Sequence, residues 1–334
     1  MAKYIGKRLV TGILSLFVLA TVTFFLTRAI PGSPFQGANV SESVLQMMEE
    51  EYGLHQPAGV QYVTYMKHLL RGNLGYSYQN PSESVANIIQ RSWPVTAVIG
   101  VLAILLAMIV GIGIGVWQTF SRHRLLRGGL FTGTLLIGGV PNFVAALLLM
   151  LVFGVWLKWL PVSGLDSWKN YILPVCALAL YPACSLARLT GTLLAQEKQR
   201  DYVLLARTKG LKKRQILFTH ILPHIWIPVL NYLGPASAFL LTGSFVVESI
   251  FTIPGLGRQF VSSIANRDYT LILGLTIFMG TVVILIQLAV DLLSACIDPR
   301  VRRSYAFQVQ TPAIILVGKV CTLSEKFDWV KSLP

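Results

Sequence analysis

Little of this chain carries charge. Asp and Glu contribute 14 of its 334 residues, and charged residues of both signs make up 13% against 54% hydrophobic. With a mean hydropathy of +0.63, this is far from the make-up of a soluble globular domain. Cysteine is sparse too. Cys176, Cys184, Cys296 and Cys321 lie in or near apolar runs or in the C-terminal stretch, which argues against a disulfide framework and leaves them as small apolar residues. No G-x-x-x-x-G-K-[ST] phosphate loop occurs, so a nucleotide-hydrolysing site within this chain is not expected. Gly111, Gly113 and Gly115 sit inside a long apolar run, where small residues serve close helix packing. His220 and His224 have the i,i+4 spacing of a metal-binding pair, but no H-E-x-x-H glutamate accompanies them and Pro223 stands between them. Neither catalysis nor a resident metal is expected, and no internal repeat or low-complexity tract is visible.

Several apolar runs exceed the roughly 20 residues needed to cross a bilayer. The pattern predicts an all-α polytopic membrane protein with six transmembrane helices, at about 9–29, 95–119, 129–157, 171–194, 224–247 and 270–296. The first run follows Lys3, Lys7 and Arg8 and is too long and uniformly apolar for a cleaved signal, so it is expected to be retained. An inside N-terminus places these three, then Arg122, Arg124 and Arg127, the cations from Arg188 to Arg214 and those from Arg300 to Lys331 on the cytoplasmic side. These are most of the 28 Lys and Arg residues, so the positive-inside rule selects an N-in, C-in topology. That topology accounts for the net charge of +14 without nucleic acid. The expected organisation is a tail and first helix over 1–30, an extracytoplasmic region over 31–93 with a helical pattern from Val40 to Tyr52, a core over 94–297, and a cytoplasmic tail over 298–334. The prolines at 94, 141, 174, 182 and 235 predict kinks or helix starts. Trp93, Trp117, Trp156, Trp159 and Trp226 read as interfacial anchors. Two carboxylates, Glu248 near the outer end of the fifth span and Asp291 near the inner end of the sixth, are expected to serve pairing or gating rather than substrate contact.

The segment 198–228, between two of these runs, is strongly basic. Asp201 reads as the N-cap of a short helix with Val203, Ala206 and Gly210 on one face, and Arg207 and Lys209 suit its C-terminal end. Gly210 supplies a turn, and a second short helix runs from Lys212 to Thr219 until Pro223 restarts the chain. From these residues alone, two readings stand side by side: a projecting knob on which a soluble partner docks, and an ordinary cytoplasmic loop resting on anionic lipid.

The same residues resemble the cytoplasmic coupling loop of permease subunits in binding-protein-dependent ABC importers. The general pattern E-A-A-x3-G-x9-I-x-L-P is met by Ala206, Gly210, Leu222 and Pro223, without the glutamate, first alanine or isoleucine. The peptide/nickel branch pattern D-Y-x-x-x-A-R-x-K-G-L is met by Asp201, Tyr202, Ala206, Arg207, Lys209, Gly210 and Leu211. Further matches follow in order: Pro31-Gly32-Ser33-Pro34, Gly53-Leu54-His55-Gln56-Pro57, Gly72-Asn73-Leu74-Gly75-Tyr76-Ser77 and Pro141-Asn142-Phe143. Then come Val247-Glu248-Ser249-Ile250-Phe251, Pro254-Gly255-Leu256-Gly257, Asn266-Arg267-Asp268-Tyr269 and Asp298-Pro299-Arg300. Each is weak alone; their order and spacing over nearly the whole chain are specific.

The resemblance implies a type I ABC importer permease fold with cytoplasmic coupling helices. It also implies as partners a second homologous permease subunit, two ABC ATPase subunits, an extracytoplasmic substrate-binding protein and the lipid bilayer. ATP and Mg would be bound by the ATPases, with no cofactor in this chain. Asp201, Tyr202, Ala206, Arg207, Lys209, Gly210 and Leu211 would couple transport to the ATPases. Gly32-Ser33-Pro34-Phe35 and Asn231-Tyr232-Leu233-Gly234-Pro235 look most like oligopeptide permeases, which makes peptide the expected cargo. Dipeptide, glutathione and nickel or metallophore permeases share most of the other motifs. An ATP-independent secondary transporter would call for charges deep in the spans and an inverted repeat, neither of which is evident; a membrane scaffold would use the basic loop alone.

Overall fold

The computed structural model describes residues 2–29, 47 and 53–297. The Pro31–Pro34 motif, the helix expected from Val40 to Tyr52 (Met47 apart), and everything from Asp298 onward, Cys321 included, lie outside the described residues. Among those described, the structure is helical, and only an isolated bridge joins Tyr76 to Ser84. In chain order the helices are α1 (Ala2–Ala29), α2 (Ala58–Leu70), α3 (Val85–Phe120), α4 (Arg124–Gly138), α5 (Asn142–Leu149) and α6 (Ile172–Glu197). They continue as α7 (Asp201–Thr208), α8 (Leu222–Thr242), α9 (Phe245–Ile250), α10 (Leu256–Ala265) and α11 (Tyr269–Ile297).

Five helical runs are long and apolar enough to cross a membrane: Ile5–Ala29, Val85–Phe120, Trp168–Glu197, Lys213–Ile250 and Tyr269–Ile297. The third expected span, 129–157, is not one helix. α4 and α5, the latter extended by a π-helical turn over Met150–Trp156, meet at 101°. Pro141 makes the break: its ring disfavours helical conformation in the residue before it, and it stands at the N-cap of α5 with ψ 142. A broken pair could cross the bilayer or turn back within it, and an ion pair decides. The Arg8 Nε lies 3.1 Å from the Asp291 carboxylate, which joins the start of α1 to the end of α11. Those two points share a side of the bilayer only if the crossings are even in number. The bent pair therefore counts as a sixth span, and the start of α1 and the end of α11 lie on the same side of the membrane.

The second span begins earlier than its hydropathy suggests. The Ser84 hydroxyl accepts from the Asn87 N–H at 3.2 Å and caps α3, so Pro94 sits inside the helix rather than at its start. The core is built where α3 meets α6. Ile99, Ala103, Ala107, Gly111 and Gly115 recur every four residues on the buried face of α3. A Cβ on Gly111 would stand 2.7 Å from the Ala183 carbonyl, and one on Gly115 would stand 2.7 Å from Thr190 Cβ, while Gly113 meets open space. The glycine run is thus a close-packing seam. Of the expected aromatic anchors, Trp117, Trp156 and Trp159 are exposed, whereas Trp93 packs edge-on against Phe278 and Trp226 packs on the main core.

Candidate functional site

The basic segment folds differently from the two-helix knob its residues suggest. Arg200, rather than Asp201, is the N-cap of α7: its backbone is extended and its carbonyl accepts from Val203 N–H at 3.0 Å. Asp201 is the first helical residue, where its charge still faces the positive end of the helix. The C-terminus is a Schellman turn. Leu211 N–H donates to the Ala206 carbonyl at 3.2 Å and Gly210 N–H to that of Arg207 at 2.9 Å, with Gly210 at φ +78. Beyond it no second short helix stands free. One α-helical turn, Lys213–Gln215, widens into a π-helix over Ile216–Ile221 and passes directly into α8. Pro223 falls in the first turn of α8, where a missing N–H costs little. The Leu222 N–H reaches five residues back to Leu217, so the wide turn carries the chain across the proline.

α7 lies on this continuous helix through Val203 and Ala206, which are buried with Leu194, Ile216, Leu217, Ile221 and Ile225. Burying Val203 alone contributes roughly 2 kcal/mol. The Tyr202 hydroxyl donates to the Glu197 carboxylate at 2.6 Å, and its ring lies against His224, with centroids 5.2 Å apart. Burial, then the neighbouring Glu197 charge, push the Tyr202 phenol well above its usual range, so it remains a donor at physiological pH. The residues of the expected coupling set divide accordingly. Asp201, Arg207, Lys209 and Gly210 are exposed; Tyr202 and Leu211 are half-buried; Ala206 is buried in the base of the loop. Leu204 and Leu205, absent from that set, are 62% and 56% exposed. Two adjacent leucines between Val203 and Ala206, on the face those residues leave outward, were the available signal.

Glu248 is 3% exposed, and its partners define its role. Thr96 Oγ1 donates to one carboxylate oxygen at 2.9 Å, and Arg258 N–H donates to the other at 2.9 Å. Gly257 N–H is a further donor. Gly257 and Arg258 belong to the first turn of α10, whose N-cap Gly255 has no side chain to offer. Glu248 therefore caps α10 from a distance, and a Cβ on Gly255 would come within 2.4 Å of its carboxylate carbon. Thr96 also accepts from Leu256 N–H at 2.8 Å, which ties α3 into the same knot. Among the described residues, the contacts of this carboxylate are hydrogen bonds to Thr96 and to the start of α10.

A second buried carboxylate, Asp268, was singled out only as part of a motif. It is 1% exposed and accepts from the Ser77 hydroxyl, from Tyr78 N–H at 3.1 Å and from Leu271 N–H at 3.1 Å. It thus caps α11 and anchors the loop before α3, joining two motifs separated by nearly the whole core. Asp268→Asn retains one acceptor oxygen and is expected to cost about 1–2 kcal/mol, read as a lower unfolding midpoint of the purified protein in detergent. An unchanged midpoint would contradict this anchoring. The remaining expected carboxylate, Asp291, is the partner of Arg8 described above.

Residues 103–303 match the family described as binding-protein-dependent transport system inner membrane component, and residues 1–100 match its N-terminal counterpart. The oligopeptide transport system permease protein OppB of Salmonella typhimurium is 39% identical over 309 residues, covering 90% of this chain and all of that one. The chain belongs to the binding-protein-dependent transport permeases. The dipeptide transport system permease protein DppB of Bacillus subtilis is 37% identical over 303 residues, covering 90% of this chain and 98% of its own length. A solved inward-facing form of the MetNI methionine ABC transporter superposes with a TM-score of 0.55 at 16% identity, over 63% of this chain and 96% of that one. That likeness establishes the ABC importer permease fold, while the family, its permease relatives and the apolar helices place the chain in the cytoplasmic membrane as a multi-pass protein.

In this permease the helix break meets two prolines that lie inside helices. Pro141 at the break between α4 and α5, Pro182 inside α6 and Pro235 inside α8 all border one cavity of about 680 Å³. Asn142, Asn231, Tyr181 and Tyr232 supply polar atoms to an otherwise apolar lining, which contains no charged side chain. Two of the motifs quoted above, at Pro141 and at Asn231, thus meet at one place.

Proposed function

We infer that this permease forms half of the translocation path of an ATP-driven importer of peptides, oligopeptides first. It would work with a second homologous permease, two ATPases and an extracytoplasmic binding protein. The observation that carries this reading is the end-to-end 39% identity with a permease named for oligopeptide transport. The cavity at the helix break supports it. Neutral amide and phenol groups on an apolar wall can hydrogen-bond a peptide main chain without selecting side-chain charge. The exposed face of α7, with Leu204, Leu205, Arg207 and Gly210, is the proposed ATPase contact. Its buried face, through Val203 and Ala206, hands movement to α8. The ATPases bind ATP and Mg and supply the work; this chain contributes the lever and the wall.

Proteoliposomes containing both permeases, both ATPases and the binding protein, loaded with ATP, are expected to accumulate labelled tetra- and pentapeptides. Accumulation of a nickel chelate with no peptide uptake would replace the proposed cargo. Uptake by this chain without ATPases would remove the importer reading altogether. Dipeptides remain a second reading, because the similarity to a dipeptide permease is nearly as high.

A further inference from the structure

One cytoplasmic hollow lies apart from the cavity at Pro141 and reaches α7 at Arg207 and Gly210, at the edge of its exposed face. It measures about 740 Å³ and lies between the end of α3 with the two residues after it, Lys198 just past α6, and the turn from α7 into α8. Five cations stand around it: Arg122, Lys198, Arg207, Lys213 and Arg214. No Asp or Glu lines it, and none of the five forms an ion pair among the described residues. Its floor is apolar, made by Val116, Phe120, Ile216, Leu217 and Ile221. The Lys198 ammonium lies over the Phe120 ring, 5.3 Å from its centre. Trp117, 57% exposed, sits on the same last turn of α3, at the level where indoles meet lipid headgroups.

The positive-inside rule accounts for cations in cytoplasmic loops, but not for five of them gathered about one apolar hollow, where they repel each other. An anion relieves that repulsion. A free phosphate would satisfy only the rim, whereas an anionic phospholipid fills rim and floor together. We propose that this hollow is a binding site for the headgroup and upper acyl chains of an anionic phospholipid of the inner leaflet. Arg207 and Gly210 line the same hollow, so a bound lipid would brace α7 from behind. The site stands independently of the cargo and shares Arg207 and Gly210 with the proposed ATPase contact.

The test uses the full chain in phosphatidylcholine nanodiscs carrying a trace of photoactivatable phosphatidylglycerol or photoactivatable phosphatidylcholine. Labelling is expected at residues 116–122 and 213–221 with the anionic probe and not with the zwitterionic one. At about fivefold per cation removed near the surface, R122Q/K213Q should lower labelling more than tenfold. The charge-keeping R122K/K213R should retain it, and so should K67Q/R71Q on the exposed face of α2. The proposal is overturned by labelling that survives R122Q/K213Q, or by equal loss in K67Q/R71Q, which would mark a net-charge effect. Competition by millimolar inorganic phosphate would make the hollow a simple anion site. Loss of labelling on assembly with the ATPases would make it a protein interface.

Discussion

Gly210→Val is expected to lower peptide uptake and substrate-stimulated ATP hydrolysis by about tenfold while leaving the amount of protein in the membrane unchanged. Gly210 sits at φ +78, a conformation that costs a β-branched residue about 1–2 kcal/mol. A Cβ there would meet nothing within 4 Å, so the substitution leaves the packing of this chain intact. The strain is relieved by opening the Schellman turn, which releases the Leu211 N–H from Ala206 and frees the end of α7. A lever coupled to two states loses about a decade of bias for each 1.4 kcal/mol of differential interaction. Gly210→Asn, which tolerates the left-handed region, should keep most of the activity. Equal transport by the valine and asparagine variants would show that α7 does not act through this turn.

How much of this was legible in the sequence depended on the range of the interaction. Apolar run length and the distribution of Lys and Arg are summed properties, so six spans and the N-in topology could be read without any contact being known. The seam of Gly111 and Gly115 was readable as close packing because both residues lie on one helix. The local grammar of α7 was half readable. A glycine turn after Lys209 was expected and is present. The N-cap shifted from Asp201 to Arg200 because an N-cap is defined by its backbone conformation, and Asp201 is already helical. That the second helix expected from Lys212 to Thr219 would not stand free was not legible, because a π-helical stretch looks like any other apolar helix and lets the chain run into α8. The third span is another case. Pro141 signalled a break, but a 101° bend that still crosses the bilayer is fixed by the pairing of Arg8 with Asp291, residues at opposite ends of the core. The ties of Glu248 to Thr96 and of Asp268 to Ser77 were hidden for the same reason, since those donors lie far away in the chain. The order of the family motifs nonetheless marked the places: those at Glu248 and Gly255 meet in one knot, and those at Ser77 and Asp268 meet in another.

Glu248→Ala is expected to produce the largest loss of stability of any single substitution considered. The side chain is 3% exposed, and removing it takes their acceptor from the buried Thr96 Oγ1 and Gly257 N–H and from the part-buried Arg258 N–H. Each stranded donor costs about 1–3 kcal/mol, and the start of α10 loses its only anionic cap, so about 3–5 kcal/mol is expected in total. The purified variant should unfold earlier in detergent and become open to protease between Phe251 and Asn266, the stretch that Glu248 ties to α3. Glu248→Gln preserves the shape and one acceptor, and should fall between the variant and the parent. Gly255→Ala attacks the same knot from the other side, because its Cβ would stand 2.4 Å from the Glu248 carboxylate carbon. It should resemble Glu248→Ala in protease sensitivity. These outcomes separate an anchor from a gate: a gating carboxylate would leave the unfolding midpoint of Glu248→Ala near the parent and change only the rate of transport.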